Sequence, residues 1–106
     1  MLVEDKSCGM VLCPKCRGDN LHQWEVEVFN RPQEDAPSLA VRIGRSGAPR
    51  LGDPDANPSS RRGGLLIYFL CENCHPDFEL FDRSQAFVMA IYQHKGNTFI
   101  EWKPHE

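Results

Sequence analysis

The stretch Gly63-Gly64-Leu65-Leu66-Ile67-Tyr68-Phe69-Leu70-Cys71-Glu72-Asn73-Cys74 joins six consecutive apolar residues to a C-x-x-C pair. Six residues bounded by glycines are too few for a helix and read as a central strand covered on both faces. The strand runs directly into Cys71 and Cys74, a tight turn that presents two thiols. A second pair, Cys13-Pro14-Lys15-Cys16, followed by Arg17-Gly18, has the same form. Four thiolates from two rigid turns are the soft, tetrahedral donor set that a structural Zn²⁺ prefers. The 54 residues between Cys16 and Cys71 are no obstacle, because the two turns need only meet in space. The expected site is one Zn²⁺ on Cys13, Cys16, Cys71 and Cys74, with no histidine ligand.

Other uses of these cysteines fit less well. Ordinary buried thiols would not fall by chance into two such pairs, each flanked by turn residues. A dithiol redox site needs only one pair, at a helix N-terminus, and no helical pattern follows either pair. Cys71-Glu72-Asn73-Cys74-His75 also matches the c-type haem attachment pattern, but haem would leave Cys13 and Cys16 unexplained and would require export. His75 is then a surface residue or a neighbour of the ligands, and Cys8 a spare thiol. An odd total of five cysteines, behind an N-terminal MLVEDKSCGMVLC without a long apolar run, points to a reducing cytoplasm.

Outward from the two pairs, the chain alternates strands and turns. In His22-Gln23-Trp24-Glu25-Val26-Glu27-Val28-Phe29, period two places Trp24, Val26 and Val28 on one face and Gln23, Glu25 and Glu27 on the other. That is a half-buried strand. Residues 30–38 hold two prolines and read as a turn, with a short strand over 39–43 pairing back. Residues 44–64, GRSGAPRLGDPDANPSSRRGG, contain a single leucine and read as a long flexible loop. Beyond Pro76, residues 78–81 are a short strand candidate. Residues 86–93 and 98–102 form a hairpin around Lys95-Gly96-Asn97, with Gly96 or Asn97 at positive φ. A helix over 84–92 is the competing reading. The aromatic residues fall mainly at strand positions, where packing is the default role.

One domain over residues 1–106 is expected from the length, and eight glycines with eight prolines imply many turns. So small a domain gains from a metal clamp. The net charge of −3 argues against coating nucleic acid by bulk charge, but the charge is uneven. Residues 42–64 carry five arginines against Asp53 and Asp55, whereas the segments on either side are each net −3. His22, His94 and His105 stand apart from any catalytic partner in sequence, and there is no phosphate loop, G-x-S-x-G or H-E-x-x-H. A four-thiolate zinc is coordinatively closed and cannot activate water. An enzyme is not expected, nor is a membrane span.

The order knuckle, strand, loop, strand, knuckle resembles the zinc-ribbon superfamily. More closely, the chain is similar to a group of small bacterial and phage proteins with a zinc-ribbon pattern. The matching runs are Cys13-Pro14-Lys15-Cys16, Leu21-His22-Gln23, Asn57-Pro58-Ser59-Ser60-Arg61-Arg62, Gly64-Leu65-Leu66-Ile67, Cys71 to Cys74, Gln93-His94-Lys95-Gly96-Asn97-Thr98 and Glu101-Trp102. The resemblance implies a mostly β, zinc-ribbon-like antiparallel sheet, and the long insertion between the knuckles departs from the compact ribbon. Two functions are expected. One is a protein-interaction adaptor, in a phage-related or larger assembly, with a protein partner. The other is a nucleic-acid-binding ribbon whose loop arginines, Arg45, Arg50, Arg61 and Arg62 together with Arg42, reach phosphates.

Overall fold

A computed structural model of the chain describes residues 9–33, 35–44, 47–77 and 81–103. Six strands form one antiparallel sheet: β1 (Leu21–Asn30), β2 (Leu39–Ile43), β3 (Pro49–Leu51), β4 (Gly64–Cys71), β5 (Phe87–His94) and β6 (Asn97–Trp102). Their order across the sheet is β3-β2-β1-β4-β5-β6. The apolar run is therefore central, as its composition requires, with β1 and β5 as its neighbours. No described segment forms a helix longer than a single 3₁₀ turn, and the strand at 87–94 excludes a helix over 84–92.

The β1–β4 register decides where the cysteines go. Leu21 lies opposite Cys71 and Phe29 opposite Gly64, so the start of β1 sits beside the end of β4. The first knuckle immediately precedes β1 and the second closes β4. Antiparallel pairing of these two strands thus brings both knuckles to one end of the sheet.

Period two holds in β1 only beyond an irregularity between Gln23 and Glu25. This β-bulge shifts the phase of the strand. Trp24 joins the core, edge-on to Phe81 at 5.3 Å between ring centroids, and Glu25 and Glu27 are buried on that same side. Val26 and Val28 turn to the opposite face. The expected grouping of Trp24 with Val26 and Val28, and the solvent side given to the glutamates, are both corrected by that one extra residue.

The main core cluster lies on one face, while Phe69 and Met89 are buried on the other. Phe29, Ala40, Leu66, Tyr68, Leu70 and Ala90 project from the strands and meet Phe81 and Ala86 from the connection that leads to β5. The opposite face is apolar from edge to edge. Leu51, Val41, Val28, Leu65, Ile91 and Ile100 line up in one cross-strand row, and Pro49, Ile43, Val26, Ile67, Met89 and Trp102 in the next. Val28, Val41, Ile43 and Ile100 keep 39–43% of their surface in water, and Leu51 89%. Residues 10–12 lie near the Met89 and Trp102 end of this face. Contrary to the sequence expectation, β4 is thus covered well on one side and only partly on the other, where Leu65 and Ile67 are half-buried.

The long connection from β2 to β4 contains β3 and a 3₁₀ turn at Pro54–Ala56, although its composition offers almost nothing to bury. Short polar side chains organise it instead. Asn57 donates to Ser38 Oγ and to the Arg62 carbonyl, at 3.1 and 2.9 Å. The buried Ser59 donates to the Gln93 carbonyl at 2.7 Å and accepts from Arg62 N–H at 2.9 Å. These Asx- and Ser-type bonds satisfy backbone groups that a bare loop would leave to water.

The β5–β6 hairpin forms as expected, with His94 opposite Asn97 and a two-residue turn between them. Positive φ falls on Lys95 (51°) and Gly96 (82°), not on Asn97. A two-residue loop of type I′ demands both. Of the strand candidate at 78–81, residues 78–80 lie outside the described residues. Phe81 is a buried core residue outside any strand.

Candidate metal centre

Cys13, Cys16, Cys71 and Cys74 meet at the shared end of β1 and β4, with all four Sγ atoms within 4.8 Å of one another. Cys13 Sγ lies 3.9 Å from Cys74 Sγ, and Cys16 Sγ 3.6 Å from Cys71 Sγ. A disulfide needs ~2.0 Å. A tetrahedral ion bonded to four sulfurs at ~2.3 Å sets sulfur–sulfur edges of ~3.8 Å, which these two distances bracket. The four cysteines that the sequence assigns to one site are therefore brought together in space.

The first knuckle is built for thiolates. Its turn closes through Arg17 N–H to the Cys13 carbonyl and Cys13 N–H to the Gly18 carbonyl, both at 2.9 Å. Arg17 adopts φ of 61°, the left-handed geometry that reverses the chain after the second cysteine. The N–H groups of Lys15 and Cys16 point at Cys13 Sγ at 3.4 and 3.5 Å, and Gly18 N–H at Cys16 Sγ at 3.3 Å. A Cβ at Gly18 would press on the Asn73 side-chain amide and come within 3.2 Å of Cys16 Sγ, so a larger residue there would have to displace Asn73. Across the centre, Asn20 donates to the Asn73 side chain and its carbonyl accepts from Glu72 N–H, stitching one knuckle to the other.

The thiols are unequal. The Gly18 N–H bond holds the exposed Cys16 down to about 7. Burial, reinforced by the three neighbouring thiols, pushes Cys74 up to about 12, and burial also raises Cys71. Four thiols this close resist ionising one after another, and a bound cation removes that resistance. Cys13 and Cys71 are buried, whereas Cys16 is open to solvent. His75 packs edge-on against Phe81 at 5.4 Å and lines a groove with Pro14, Lys15, Phe87, Trp102 and Lys103, beside the thiol cluster and outside it. Both thiols of the haem-type pattern are part of the four-sulfur cluster. Cys8 and His105 lie outside the described residues.

The loop arginines are not brought to one place. Arg42 and Arg50 lie opposite each other on the core-side face of β2 and β3, and Arg42 Nε sits 3.5 Å from Glu25 Oε1. Arg61 and Arg62 line a separate hollow with Gln93, His94, Lys95 and Gly96. Arg45 lies outside the described residues.

Sequence reasoning missed a buried ionic cluster. Arg83 reaches Glu27 Oε1 with Nη2 at 2.7 Å and Glu25 Oε1 with Nε at 2.8 Å, and stands 4.3 Å above the Tyr68 ring. The Nε contact is an ion pair without the alignment of a hydrogen bond. Asp53 N–H also donates to Glu27, at 3.1 Å. Burial is the main cause that raises Tyr68 to about 12, with Arg83 opposing and the two glutamates adding. The only sequence hint is a Glu-x-Glu set between Trp24 and Phe29 in a strand.

No family model, curated protein or solved structure matches the chain. Among the described residues no helix is long and apolar enough to cross a membrane.

Proposed function

We propose that the chain is a non-enzymatic zinc module that works through protein–protein contact. Four thiols within 4.8 Å of one another, at the shared end of the two central strands, are the observation that carries the zinc. Cys13, Cys16, Cys71 and Cys74 would close its coordination sphere, so the ion fastens the knuckles and offers no position for water or substrate. What it fastens is a sheet whose second face is apolar and, among the described residues, only partly covered. Contiguous exposed apolar area beyond a few hundred Å² marks interaction surfaces in soluble proteins. The groove of His75, Phe87 and Trp102, flanked by Lys15 and Lys103, extends that face to the knuckles. Capture from a cell lysate with and without nuclease tests the reading. A protein partner retained after nuclease and at high salt supports it, and loss of every partner on nuclease treatment overturns it.

A second reading, nucleic-acid binding, draws on the hollow that groups Arg61 and Arg62 with His94 and Lys95. Replacing both arginines by alanine is then expected to weaken binding to all sequences alike and to reduce the salt slope by roughly one to two units. If the unaltered protein binds neither single strands nor duplex at low salt, this reading is discarded.

A further inference from the structure

We infer that the partly exposed apolar face of the sheet is covered by a second copy of this chain, packed face to face about a two-fold axis. The inference rests on the protein-contact reading above and names its first partner.

Stable domains bury a sheet's apolar face against another layer. Here one face has its layer, made by the connection through Phe81 and Ala86 and by the segment after β3. The other carries two cross-strand rows of apolar residues running through all six strands without a charged side chain. A surface of that kind offers nothing to select a partner by charge complementarity. It is complementary to another surface that is flat, pleated and uncharged, and an identical copy supplies one by symmetry. The size also fits. Five inter-strand spacings of ~4.8 Å by three or four alternate residues, the two apolar rows and those flanking them, span on the order of 500–650 Å², so two copies together cover about 1,000–1,300 Å². Each partner in a standard stable interface buries ~800 Å², so this one lies at the lower end of that class. Two such sheets stack ~10 Å apart at about −30°, which interdigitates the rows. The twelve row residues would then become the core of a sandwich, and Leu65 and Ile67 of the apolar run would be covered on both sides. The charged cluster of Glu25, Glu27 and Arg83 sits on the opposite face and takes no part.

Sedimentation equilibrium of the zinc-loaded full chain from 1 to 100 µM tests this, with metal content measured on the same samples. The expected mass is twice the 12.1 kDa of one chain. Val28→Lys and Val41→Lys place a charge in the centre of the first row, and each is expected to weaken dimerisation at least roughly a hundredfold. Leu51→Lys changes a side chain already in water at the sheet's edge, so it cannot disturb the single chain. It is expected to weaken the dimer roughly tenfold while circular dichroism and zinc content stay unchanged. A monomer at 100 µM overturns the inference. If that monomer binds a hydrophobic dye, the face serves a different protein; if it does not, the chain covers itself. A dimer insensitive to all three lysines also overturns it. A zinc-loaded monomer leaves the metal reading standing, whereas a dimer without metal refutes that reading and leaves the inference intact.

Discussion

Cys71 is the last residue of β4 and fully buried, so its thiol is held by the sheet itself, whereas Cys16 lies in an exposed turn. Both should nevertheless matter alike, because a three-thiolate site loses much of the binding free energy that folding draws on. Cys71→Ser and Cys16→Ser are each expected to lose bound metal and at least ~3 kcal/mol of stability, or ~15 °C in Tm. Cys8→Ser should change neither quantity, and elemental analysis with calorimetry checks all three. Tyr68 gives a pH signature. Its hydroxyl, raised from 10.0 to about 12, favours the neutral form in the folded chain. That contribution is fully present below pH ~10 and is lost as pH rises through ~12. Thermal melts should therefore fall more steeply over that window for the unaltered protein than for Tyr68→Phe, and equal slopes would refute the burial argument. The four clustered cysteines were legible in the sequence because two C-x-x-C pairs have the short spacing that a tetrahedral metal site uses. Glu25 and Glu27 were not, because alternation alone cannot reveal the bulge that turns them inward.

The 3₁₀ turn Arg83–Gln85 shows how a short element governs a buried charge. Asp82 caps it, accepting from Ser84 N–H at 2.9 Å, while Gln85 reaches back to Asp82 N–H at 3.1 Å. This capping box fixes where Arg83 leaves the backbone, and its side chain then closes over Glu25 and Glu27. Removing one member of a buried ionic cluster leaves uncompensated charge behind. Arg83→Met is expected to cost about 3 kcal/mol, the lower end of the range because a third of the side chain remains in water. A urea titration measures it, and a loss below ~1 kcal/mol would show that the cluster is solvated like a surface ion pair. Strands β2, β4, β5 and β6 were readable from apolar runs and turn residues. β3 was not. Its Pro49-Arg50-Leu51 alternates over three residues only, too few to stand out among glycines and prolines, and it pairs with the edge that β2 offers.

At the scale of the whole molecule, the pairing of β1 with β4 and the meeting of the knuckles are one event. Both knuckles sit at the same end of that pair, so a metal ion on the four thiols would lock the register of the two central strands. The loop of 54 residues between Cys16 and Cys71 makes this clamp valuable, since closing it once restrains β2, β3 and the long connection together. The mostly β architecture and the single cluster were therefore accessible from the two cysteine pairs and the apolar run. The open face was not, because an apolar run says that a strand wants cover on both sides without saying who provides it. The central claim is that the four cysteines hold one zinc ion as their only ligands. X-ray absorption at the zinc edge, with elemental analysis of protein purified without added metal, tests it most directly. The account predicts one zinc per chain and a single shell of four sulfurs at ~2.3 Å. Iron in place of zinc, no bound metal, or nitrogen or oxygen in the first shell would contradict it.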